Sequence, residues 1–150
     1  MPVSKSGGTG IISDLWLEAS HLNYLFPEDT DETVTLVAGD VNHTFGAWAE
    51  IVDNNAVTLS SKVTADMHIS SIIAENASLK DKVYVLEISY GVSKTIIARA
   101  RMISPTNQIG HTQQERMRNL KVPKGEKIYY RMKCETADAN AVFHFRYHYN

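Results

Sequence analysis

From Ala141 to Tyr149 the chain alternates strictly, with Phe143, Phe145, Tyr147 and Tyr149 on one side and Val142, His144, Arg146 and His148 on the other. Successive side chains of a strand point to opposite faces, so this segment predicts a half-buried strand. The same rhythm runs through residues 127–135, where Ile128, Tyr130, Met132 and Cys134 oppose Tyr129, Arg131, Lys133 and Glu135. Residues 94–103 repeat it, with Ile96, Ala98, Ala100 and Met102 against Thr95, Arg99 and Arg101. Further strands are expected at 33–38, at 48–53, at 62–74 with a break near Ser70 and Ser71, and at 82–90. Turns fall at Gly39-Asp40, Phe45-Gly46, Asp53-Asn54-Asn55, Gly91 and Pro123-Lys124-Gly125, and residues 105–114 form a polar loop. Repeated short strands separated by turn residues indicate an all-β, antiparallel, jelly-roll-like β-sandwich of about eight strands.

The amino-terminal part follows a different pattern. Residues 1–10 hold three glycines and no apolar period, which predicts a flexible arm. Within residues 11–27, Ile12, Leu15, Trp16, Ala19, Leu22 and Phe26 recur at spacings of three and four, with Ser13 placed to cap and Pro27 to close. This predicts a short amphipathic helix, either capping the sheets or docking on a neighbouring subunit, with Trp16, Leu22 and Phe26 as interface anchors. The sandwich domain then occupies residues 28–150, beginning at the acidic loop Glu28-Asp29-Thr30-Asp31-Glu32.

A chain of 150 residues buries enough surface for one domain without a staple. Its single cysteine, Cys134, on an apolar strand face, excludes an internal disulfide and predicts an inert thiol. No segment reaches membrane-spanning length, so no membrane partner is expected. The net charge of -2 conceals a separation: residues 1–60 carry one basic and nine acidic side chains, residues 61–150 fourteen basic and eight acidic. The halves complement one another, either within one chain or between copies. Arg99 with Arg101, Arg116 with Arg118, and Arg131 with Lys133 could form outward basic stripes, but a pI near 6.3 argues against nucleic acid.

Chemistry is sparse. His144 and His148 are four apart on one strand face, a separation of roughly 13 Å, too far for one zinc ion. Asp29 and Asp31 have the spacing of a calcium loop's first ligands, but Val34 stands where that loop requires glycine. The Gly7-Gly8-Thr9-Gly10 run follows no strand and lacks the lysine and serine of a phosphate cradle, and no Gly-x-Ser-x-Gly elbow occurs. No enzyme, cofactor or metal is expected. Tyr84, Tyr90, Tyr129 and Trp48 could line a platform for a glycan, which gives a carbohydrate-binding module as the alternative reading.

The stretch from Leu120 to Met132, with its Val-Pro-Lys-Gly turn and Ile-Tyr-Tyr-Arg strand, resembles jelly-roll accessory proteins of tailed bacteriophage virions. Trp48 to Ile51 and Val85 to Gly91 resemble the opening and middle strands of such modules, so the resemblance covers residues 48–149. It implies a non-enzymatic capsid decoration protein, head fibre or tail component, usually a homotrimer. Such a protein would be assembled in the host cytoplasm into a virion and would hold other virion proteins through its amino-terminal arm.

Overall fold

The computed structural model describes residues 22–104, 113–116 and 121–149. The predicted arm, the first part of the predicted helix with Trp16, and most of the 105–114 loop lie outside these residues.

Among the described residues nine strands form: β1 (Tyr24–Phe26), β2 (Val34–Val37), β3 (Ala49–Glu50), β4 (Met67–Ala77), β5 (Val83–Tyr90), β6 (Thr95–Ile103), β7 (Gln113–Arg116), β8 (Ile128–Cys134) and β9 (Asn140–Tyr149). A 3-10 turn spans Leu59–Lys62. In one sheet β1 and β2 both pair with β9, which continues to β4 and β7; the other runs β3-β8-β5-β6. All pairings are antiparallel. The chain crosses between sheets after β2, β3, β4, β6, β7 and β8, which is the double Greek-key order of a jelly roll.

The nine segments fill eight positions because β1 and β2 are two pieces of one edge strand. Phe26 lies opposite Phe145 and Val34 opposite Phe143, so eight steps on the edge strand match two on β9. The six extra residues, Pro27 to Glu32, leave the sheet as the predicted acidic loop. Glu28, Asp29 and Asp31 are exposed on it, while Asn54 ties its end by accepting from the Thr33 N–H at 3.0 Å and donating to the Asp31 carbonyl at 3.3 Å.

This corrects the helix expected up to residue 26. Tyr24 to Phe26 add three rungs to β9 instead, and Phe26, only 1% exposed, is part of the core. Three residues with a ready strand partner gain sheet hydrogen bonds and apolar burial together, which outweighs a weak helical period.

The core lies between the sheets, and the alternation places it. Phe143, Phe145 and Tyr147 from β9 meet Tyr84, Leu86 and Ile88 from β5 and Ile128, Met132 and Cys134 from β8 within one buried cluster. Arg146 faces solvent and His144 is half-buried. The break near Ser70 and Ser71 is a bulge: Ile69 pairs with Tyr147 and Ser71 with Arg146, so Ser70 is the extra residue. It moves the inward positions from Met67 and Ile69 to Ile72 and Ala74. The expected start of this strand at residue 62 moves to Met67, because residues 59–62 take the 3-10 turn capped by Thr58.

Candidate functional site

The outer face of the β3-β8-β5-β6 sheet carries charged side chains in rungs that the register dictates. Glu87 lies between Arg131 and Arg99, and Val85 between Lys133 and Arg101. Two of the basic stripes read from the alternation, Arg99 with Arg101 and Arg131 with Lys133, therefore flank β5, while Arg116 lies on β7 of the other sheet and Arg118 outside the described residues.

In the first rung the Glu87 carboxylate accepts from Arg99 Nε at 2.6 Å through Oε2 and from Arg131 Nε at 2.7 Å through Oε1. Arg131 Nη2 adds a third contact at 2.6 Å. Burial, the largest single influence on Glu87, raises its pKa; the two guanidinium hydrogen bonds together outweigh it and hold the carboxyl below the usual glutamate range. Arg131 also lies 4.5 Å from the ring centres of both Phe45 and Trp48.

The loop joining β2 to β3 supplies those rings, and two glycines fix it. Gly39 N and Gly46 N both donate to the Met132 carbonyl, at 3.0 and 3.2 Å, and His43 N donates to the Cys134 carbonyl at 2.8 Å. A Cβ on Gly39 would collide with the Thr44 carbonyl and the Gly46 backbone, so the two loop arms approach as only glycine allows. The result is a second layer of Phe45, Trp48 and His43 over the end of β8.

The second rung opens into a groove of about 320 Å³ lined by His43, Val83, Val85, Arg101, Lys133 and Glu135. Glu135 is already engaged, accepting from Val83 N at 2.8 Å. The Lys133 ammonium sits 4.6 Å from the Phe45 ring centre. The four ion pairs among the described residues join Arg99 and Arg131 to Glu87, Lys121 to Asp66 and His144 to Glu75; none includes Arg101 or Lys133. The groove thus presents two cations and the tethered Glu135 carboxylate over a valine floor, a net positive charge that suits an anionic group.

The other sequence candidates disperse. His144 Nδ1 lies 3.5 Å from Glu75, while His148 contacts Ser70 Oγ at 2.7 Å and stacks on His68 at 5.3 Å, so the two histidines share no common point. Among the described residues no three His, Cys, Asp or Glu side chains converge as metal ligands. Of the four rings read as a glycan platform, Tyr84 is a core residue, Tyr90 packs against the core, Tyr129 carries Lys94 at 4.0 Å, and Trp48 carries Arg131. Of the three interface anchors, Leu22 is 60% exposed, Phe26 is consumed by its own core, and Trp16 lies outside the described residues. Sequence reasoning missed Glu87, whose signal was a carboxylate at an outward position of an apolar strand. It also missed His43 and Phe45, which only the loop's docking brings to the site.

No family model matches this chain, and no curated protein matches it. Among solved structures, a chain from the structure of infectious bursal disease virus Gx strain is similar in part, with a TM-score of 0.35 and 11% identity over 85% of this chain. The matched region spans 30% of that neighbour's length.

Proposed function

We propose that this chain is a non-enzymatic structural protein of a virion, a capsid decoration, head-fibre or tail component of a tailed bacteriophage that acts as a homotrimer. The observation that carries the reading is the strand order, β1/β2-β9-β4-β7 facing β3-β8-β5-β6, an architecture used by viral capsid and lectin domains. The edge formed by β1 supports self-association. Leu22, Tyr24 and Leu25 are 60%, 42% and 44% exposed there, a run of apolar surface beside strand backbone whose outer side has no strand partner among the described residues. Partner chains covering that edge would bury both.

Light scattering over a dilution series, repeated with Trp16→Ala and Leu25→Ser, tests the reading. A trimer weakened by either substitution is expected. A monomer at every concentration moves the second reading, a carbohydrate-binding module, ahead. That reading is favoured by the half-buried Phe45 and Trp48 beside the cationic groove, and a glycan array checks it.

A further inference from the structure

We infer that the Arg101–Lys133 groove receives the acidic loop, Glu28 to Glu32, of a second copy of this chain, so that copies join head to tail. The inference rests on the self-association proposed above and assigns it two surfaces. Among the described residues neither surface has an ion-pair partner. Arg101 and Lys133 are outside every ion pair among the described residues, and so are Glu28, Asp29, Asp31 and Glu32. Within the loop, Glu32 is held by the Asp29 N–H at 3.0 Å and the Asn55 amide at 3.3 Å. Those bonds shape the loop and leave the exposed Glu28, Asp29 and Asp31 pointing their charge at solvent.

The two surfaces cannot meet within one chain. The acidic loop adjoins Thr33 at the start of β2, whereas Gly39, past its end, docks on Met132 beside the groove. Six extended residues between them span roughly 20 Å. An ion pair needs its charged atoms within about 4 Å, a fifth of that span, so the complementary patches sit at opposite ends of a strand. A patch at one end that matches a different patch at the other generates a heterologous contact, which closes into a ring when the rotation permits, as in a trimer. The valine floor and the His43 and Phe45 walls would partly desolvate the carboxylates, strengthening pairs that are weak on an open surface.

The test is sedimentation of the full chain with charges reversed on either surface and then on both. Arg101→Glu with Lys133→Glu should weaken self-association at least about tenfold, as should Asp29→Lys with Asp31→Lys. The chain carrying all four reversals should regain association to within about threefold of the original, because the swapped surfaces again match. Thermal melts verify folding. Should a variant fail to fold, association of the original chain between about 50 and about 500 mM salt takes its place, with at least a tenfold loss expected. Association unmoved by groove reversal or by salt overturns this inference and leaves the oligomer reading standing. A four-fold variant as weak as either pair shows that the loop is not the occupant. A monomeric original chain overturns both readings, and a monomer that binds heparin through the groove assigns it to sulfated glycan instead.

Discussion

Replacing Glu87 by glutamine should expose how much of the sandwich depends on the Arg99–Glu87–Arg131 rung. The carboxylate is 5% exposed and meets two guanidinium groups, so removing its charge leaves both cations facing a neutral amide. Breaking a buried pair from one side costs about 3 to 5 kcal/mol when the orphaned partner stays buried. Here the partners differ: the Arg99 side chain is 68% exposed and recovers water, whereas Arg131 is 31% exposed and held against Phe45 and Trp48. Most of the penalty therefore falls on Arg131, and we expect a loss of about 2 kcal/mol, the scale of one hydrogen bond to a charged group. Urea denaturation at pH 7 with an unchanged slope measures it. Because the folded pKa is depressed, the contribution is complete above the unfolded value near 4.5 and disappears as pH falls through the folded value. The gap between wild type and Glu87→Gln should be level from neutral pH down to about 5 and should close below about 4.5. A difference under about 0.5 kcal/mol at pH 7, or one that widens on acidification, would refute the reasoning.

Phe145→Ala should cost about 3 to 5 kcal/mol in chemical denaturation, since the ring is fully buried on the central strand of its sheet, flanked by Phe26 and Ile72; a loss under about 1 kcal/mol rejects the register. Gly39→Ala should destabilise the β2–β3 loop by more than about 1 kcal/mol because the new methyl meets backbone atoms, and near-native stability would show that the loop arms are not in contact. Cys134, 3% exposed, should resist a thiol reagent until the protein unfolds; rapid labelling in the native state would contradict its burial.

The strands of this protein were legible where one face is buried and the other wet. In β9 and β8 the alternation alone identifies Phe143, Phe145, Ile128 and Met132 as core and Arg146 as exposed. Even the β4 bulge showed as two adjacent serines interrupting the apolar rhythm. Tyr24 to Phe26 misled because three strand residues beside a helix-like period cannot declare themselves; what makes them a strand is the vacant edge of β9, over a hundred residues away. The site was half legible for the same reason. Outward Arg99, Arg101, Arg131 and Lys133 follow from strand parity, but their meeting across β5, and the docking of His43, Phe45 and Trp48 over them, depend on strand order and on two glycines in a loop.

The central claim is that this sandwich is a building block of a particle, and quantitative mass spectrometry of virus particles purified from the source of the chain tests it directly. Peptides of this chain, including those around Phe145, should co-purify with the particles in a fixed ratio to the shell protein and survive a high-density gradient. Peptides confined to the soluble fraction, with none on the particles at any step of the gradient, would contradict it.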